Sequence, residues 1–158
     1  MKKQLIRIIT IIIFAFYCIS LIYVLFLDMR PTHLNYFQYI KKSINIIPFK
    51  TISDYVLRLA NNSINLSSFI KNICGNLILF LPLGFFLPII TKSNWKVKKI
   101  VTISFISIVS LELIQLLSTL GSFDIDDIIL NLTGSIIGYC ITKVYPISKI
   151  IKQVRELP

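Results

Sequence analysis

Four runs of apolar residues decide what this chain can become. They cover roughly positions 5–27, 73–90, 100–120 and 128–145 of 158 residues. A helix rises ~1.5 Å per residue, so ~20 apolar residues cross the ~30 Å hydrocarbon core of a bilayer. Each run approaches or exceeds that length. Hydrophobic residues make up 55% of the chain, where a soluble domain has roughly 45–50% even with glycine counted. In lipid every backbone N–H and C=O must be satisfied internally, which leaves helices or closed barrels. Runs this long and continuous read as helices. The expected fold is an all-α membrane protein, one domain over 1–158. It is a bundle of four transmembrane helices with a long extracytoplasmic loop.

The basic residues set the expected orientation. The first run follows Lys2, Lys3 and Arg7 and continues through Leu27 to Asp28 with no small-residue cleavage site. It reads as an uncleaved first span rather than a signal peptide. Lys92, Lys96, Lys98 and Lys99 crowd around Trp95, and Lys143, Lys149, Lys152 and Arg155 follow the last run. Eleven of the 17 basic residues then lie on one side if both termini are cytoplasmic. That asymmetry is the positive-inside pattern, and it places the chain in the plasma membrane as a multi-pass protein. The net charge of +10 is therefore read as orientation and contact with anionic lipid, and nucleic acid is not an expected partner.

The loop from Asp28 to Asn72 is the least regular stretch. Pro31 and Pro48 interrupt it, and the chain's one histidine, His33, receives no role. Ser53 to Leu59 has helical amphipathicity but is too short to span, which suits an interfacial or re-entrant helix. Cys18, Cys74 and Cys140 lie one per apolar run without a CxxC spacing. They suggest neither a disulfide framework nor a zinc site. In the second run, Pro82 predicts a kink and Gly84 a close neighbour.

Function is expected where the third and fourth runs meet. Glu112 and Gln115 precede a short acidic turn, and Asn131 follows it. The turn holds Asp124, Asp126 and Asp127, three of only seven acidic residues. An ionisable group inside a span costs ~2.5–3.5 kcal/mol on insertion scales and defaults to a functional role. At 100° per residue, Ser104, Gln115, Ser118 and Thr119 fall within about 60° of one another, with Glu112 at the edge of the arc. Counting rise from the turn puts Gln115 opposite Asn131 and Glu112 one turn deeper. On the fourth run Asp127, Asn131, Gly134, Ser135, Gly138 and Thr142 share a face that includes a small-xxx-small pattern.

The same residues have plainer uses. Asp124 is placed to cap the fourth helix, with Asp127 at the acidic position of a capping-box-like pair. Asn76 is either a helix–helix hydrogen-bonding residue or part of the polar site. Beyond capping, the aspartates at 124, 126 and 127 offer oxygen ligands for a divalent cation such as Mg²⁺ or Ca²⁺, although no cofactor is firmly implied. They also offer charge for a cationic or polyhydroxylated ligand from the outer face. An intramembrane Glu112 beside Asp127 suits general acid–base work or proton coupling.

Several blocks together resemble one family. They are Asn45-Ile46-Ile47-Pro48-Phe49, Gly75-Asn76, Phe80-x-Pro82-x-Gly84-x-x-x-Pro88, and Glu112-x-x-Gln115. The last is Phe123-Asp124-Ile125-Asp126-Asp127-x-x-x-Asn131-x-x-Gly134-x-x-x-Gly138-Tyr139. Their order and spacing are similar to those of the VanZ-like family. Many members carry an Arg just before the Ser-Phe-Asp run, where this chain has Gly121. The resemblance implies a small integral membrane protein whose namesake confers low-level resistance to the glycopeptide teicoplanin.

The leading expectation is an outward-facing polar site acting at the cell envelope, with Glu112 and Asp127 as its ionisable, candidate catalytic centre. Gln115, Asn131 and Asn76 would position a ligand, and Asp124 and Asp126 would be caps or auxiliary ligands. Expected partners are the bilayer and a cell-wall precursor, a lipid carrier or a glycopeptide. Two alternatives stand beside it: a membrane enzyme or lipid-carrier handler with a carboxylate or metal site, and a structural or partner-binding protein without catalysis.

Overall fold

The shortest of the long apolar helices lies at the centre of the molecule, and the longest at its edge. The computed structural model describes residues 2–27, 35–91 and 95–144, together with 148 and 151. Its elements are α1 (Lys2–Leu27), α2 (Tyr36–Lys42), β1 (Ile44–Asn45) and α3 (Lys50–Ala60). They continue with α4 (Leu66–Leu79), α5 (Leu81–Ile90), α6 (Val97–Leu117), β2 (Phe123–Asp124) and α7 (Ile125–Ile141). Among the described residues, three helical stretches are long and apolar enough to cross a membrane: Gln4–Phe26, Leu66–Ile90 and Val97–Leu117. α7 has 17 residues.

Helix α1 is the peripheral one. Ile8, Ile12, Phe16, Ile19 and Tyr23 are exposed along it, and Leu21 alone of its large apolar side chains is buried. Phe105, Ile106 and Leu113 are likewise exposed on α6. Apolar surface of this extent belongs in lipid, and the protein is a membrane protein.

The second apolar run is one candidate span made of two helices. It begins at Leu66, earlier than the hydropathy suggested, because the Asn65 side chain accepts the Ser68 N–H at 2.8 Å and caps α4. It breaks at Phe80, two residues before Pro82, where proline's missing N–H is expected to interrupt the ladder. The Tyr17 hydroxyl donates to the Leu79 carbonyl at 2.9 Å there. A neighbouring helix thus supplies the partner that a broken helix needs in an apolar medium.

Helix α7 packs against α4, α5 and α6. A Cβ at Gly134 would land on the Leu77 carbonyl oxygen, and one at Gly138 on the Leu81 carbonyl oxygen. From the other side, a Cβ at Gly84 would land on the Ser135 carbonyl oxygen. The helix backbones are therefore in direct contact, which only glycine at these positions permits. Between α6 and α7 the buried hydroxyls of Ser104 and Ser135 share a hydrogen bond of 2.6 Å. The apolar core around them joins Leu21, Phe80, Leu83, Ile108 and Ile128. A second cluster at the far end holds Trp95, Ile100 and Tyr139.

The amphipathic segment expected at Ser53–Leu59 lies inside α3. It is preceded by a feature that hydropathy did not announce. β1 and β2 pair in parallel, with Ile44 opposite Phe123 and Asn45 opposite Asp124. The long loop is thereby fastened to the acidic turn. His33, Lys92, Lys149, Lys152 and Arg155 lie outside the described residues.

Candidate functional site

The acidic turn is built by two helix ends. α6 closes with Thr119 in the left-handed region, φ 59°. The Leu120 N–H reaches the Gln115 carbonyl at 3.0 Å and the Thr119 N–H reaches that of Leu116 at 3.1 Å. This is the Schellman arrangement, with a threonine where glycine is usual. Helix α7 then starts at Asp124, whose Oδ1 accepts the Asp126 N–H at 2.9 Å. The expected cap is present.

Asp124 does more than cap. Its Oδ1 also accepts from Asn45 Nδ2 at 3.0 Å, and its Oδ2 accepts from the Thr51 hydroxyl. Asp126 is 0% exposed. Its Oδ1 accepts the Phe49 N–H and its Oδ2 accepts the Ile52 N–H at 3.1 Å. Phe49 is the N-cap of α3, and Ile52 lies three residues into the helix. A carboxylate from another part of the chain thus takes the place of a local capping side chain, at the end where the helix dipole favours negative charge. Phe49 has φ 64°, a conformation that costs a bulky residue roughly 1–2 kcal/mol, and its N–H is thereby turned onto Asp126.

Asp127 is half-buried and accepts from Asn76 Nδ2 of α4. One turn further along α7, Asn131 is 2% exposed and its Oδ1 has no hydrogen-bond partner. Glu112 of α6 is 5% exposed, and its Oε2 is also buried without a partner. The carboxylates of Asp127 and Asp124 lie within Coulombic range of Glu112. Buried polar atoms without partners are uncommon in folded proteins. Two of them are acceptors on the neighbouring helices α6 and α7.

Beside the three aspartates lies a cavity of about 150 Å³. Thr51, Ile52 and Tyr55 of α3 form one wall, Asn72 and Ile73 of α4 another, and Ser122, Asp124, Asp126, Asp127 and Leu130 the third. Its polar rim is rich in acceptors. Among the described residues, no group of three or more His, Cys, Asp or Glu is disposed to hold a metal ion. Both oxygens of Asp126 are already taken by backbone N–H groups.

The geometry unites most of the residues singled out from the sequence and separates one. Asp124, Asp126, Asp127 and Asn76 meet at the turn. Gln115 does not face Asn131: its Nε2 donates to the Leu25 carbonyl of α1 at 2.8 Å. The buried face of α6 runs Ile100, Ser104, Ile108, Glu112, Leu116 in steps of four. Gln115 lies beside that face, and Ser118 and Thr119 fall beyond the last helical residue. Asn45, Thr51, Tyr55 and Asn72 were not read as site residues, apart from Asn45 within its motif. Asn45 and Thr51 meet Asp124 across more than 70 residues of sequence, where periodicity carries no signal.

Comparison with known proteins agrees with the motif blocks. A family model described as VanZ/LLP1 matches residues 14–147. The chain is similar to Protein VanZ of Enterococcus faecium, 25% identical over 124 residues, covering 78% of this chain and 67% of that protein. No solved structure matches the chain.

Proposed function

The chain belongs to the VanZ/LLP1 family, and we propose that it acts at the cell envelope and lowers susceptibility to glycopeptide antibiotics such as teicoplanin. On this reading it is a multi-pass plasma-membrane protein in which α7 is a fourth crossing. Both termini are cytoplasmic, and the acidic turn faces outward. The working centre is Glu112 with Asp127, and Asn131 and Asn76 position what binds there. Asp124 and Asp126 hold the turn and α3 in place, and Gln115 ties α6 to α1.

The observation that carries this reading is the pair of unpartnered, buried acceptors, Glu112 Oε2 and Asn131 Oδ1, on the two helices that the acidic turn joins. Their desolvation is costly unless a bound group or a proton meets them. The cavity volume of about 150 Å³ is below the ~300–1,000 Å³ of pockets that enclose drug-sized ligands. A glycopeptide is therefore not enclosed. A small polar part of an envelope component, such as a cell-wall precursor or a lipid carrier, is the fitting occupant, and resistance follows from acting on that component.

The test is teicoplanin susceptibility of cells expressing the wild type, Glu112→Gln or Asp127→Asn, with membrane levels measured alongside. Both variants are expected at normal levels without protection. Protection retained in full by Glu112→Gln would remove that carboxyl from the mechanism.

A further inference from the structure

The end of the bundle away from the acidic turn carries a separate concentration of charge. Helix α6 begins there after Lys96, with no side-chain cap and no acidic residue in its first turn. Lys98 and Lys99 lie in that turn. A helix N-terminus bears roughly half a positive charge, so these ammonium groups stand where cations are least favoured. Lys143 adds another. Its Nζ lies 4.9 Å from the centroid of the Tyr139 ring, and Lys99 Nζ lies 4.4 Å from that of Trp95. The two rings are joined, since the Tyr139 hydroxyl donates to the Trp95 carbonyl at 2.6 Å.

A second observation asks for an acceptor at the same place. Trp95 is 6% exposed, and its Nε1–H is buried without a partner. Among the described residues the acidic side chains are Asp54, Glu112, Asp124, Asp126 and Asp127, all in α3, in the acidic turn or in the half of α6 that leads to it. The described part of the protein thus supplies lysines, an uncapped helix start and an orphan indole donor, with no anion among them. Val97 and Val144 are exposed beside this cluster, and Phe105 and Ile106 continue the apolar surface along α6. A ligand seated here would set a phosphate at the helix start and lay acyl chains along the exposed apolar side of the helix.

We propose that this end binds the headgroup of an anionic phospholipid. Its phosphate accepts from Trp95 Nε1–H and from the free backbone N–H groups of the first turn of α6, and Lys99 and Lys143 flank it. The site is independent of the acidic cavity and of the function assigned to it.

Trp95 is the single tryptophan of the chain, so its fluorescence reports on this site alone. The full-length protein in detergent is titrated with dioctanoyl phosphatidylglycerol, with dioctanoyl phosphatidylcholine, and with inorganic phosphate. A saturable emission change with phosphatidylglycerol alone is expected. The exposed pair Lys99→Gln with Lys143→Gln should weaken that response by roughly thirtyfold, and Lys71→Gln on α4 should leave it unchanged. An equal response to phosphatidylcholine, or none to either lipid, would overturn the proposal. Inorganic phosphate acting at the same concentration as the lipid would overturn the lipid assignment.

Discussion

Asp126 ties together two parts of the chain that are 77 residues apart in sequence. Its two oxygens serve two N–H groups of α3, and no water or side chain need enter. An amide in its place has one acceptor oxygen and a donor aimed at a donor. Asp126→Asn is therefore expected to weaken the docking of α3 by about 1–3 kcal/mol. Hydrogen exchange at the Phe49 and Ile52 amides should speed up accordingly, while amides in α6 keep their protection. Unchanged exchange at both positions would show that the carboxylate does not hold α3. Glu112 was legible in the sequence because an apolar run has no ordinary use for a carboxyl, whatever surrounds it. The role of Asp126 was not legible, because capping rules look three residues along the chain and its partners come from another helix. Gln115 was misjudged for a different reason. A fixed 100° step ignores the four-residue ladder that the buried face of α6 follows, and the acceptor it found belongs to α1.

At the level of helices, the contacts that decide stability are between backbones. The α7 glycines rest on the carbonyls of Leu77 and Leu81, so a single methyl must push two helices apart. Gly134→Ala should lower the melting temperature in detergent, with a cost of at least ~1–3 kcal/mol as for overpacking of a tight core. Tyr17→Phe removes the donor to the Leu79 carbonyl at the break between α4 and α5. It should cost roughly 0.6–1.7 kcal/mol, the range of interhelical hydrogen bonds in lipid. Thr119→Gly tests the opposite sign. With φ 59° at the end of α6, relief of the left-handed conformation should raise the melting temperature by the equivalent of about 1 kcal/mol. The break near Pro82 and the small-residue face of α7 could be read from the sequence, since both follow from residue type at one position. The early start of α4 required its asparagine cap, and hydropathy alone passes over it.

For the whole molecule, the acidic side chains among the described residues gather toward one end. The acidic turn, α3 and the cavity occupy that end, and the lysines around Trp95 and Tyr139 the other. If α7 crosses the bilayer as proposed, the two ends face opposite compartments. In a chain whose Cys18, Cys74 and Cys140 are replaced by serine, a cysteine at Ser122 should react with a membrane-impermeant maleimide in intact cells. A cysteine at Lys143, just past the end of α7, should react only after permeabilisation. The reverse pattern would invert the orientation, and labelling of both in intact cells would remove α7 as a crossing.

The central place of α7 also bears on how the protein is made. Its 17 residues include Asp126, Asp127 and Asn131, and a carboxylate in a lone helix opposes insertion by ~2.5–3.5 kcal/mol. The donors that satisfy the two carboxylates belong to α3, with its N-cap, and to α4, both of which precede it on the ribosome. If α7 is a crossing as proposed, biosynthesis has an order written into it: the earlier helices must assemble a waiting groove before α7 can enter the bilayer.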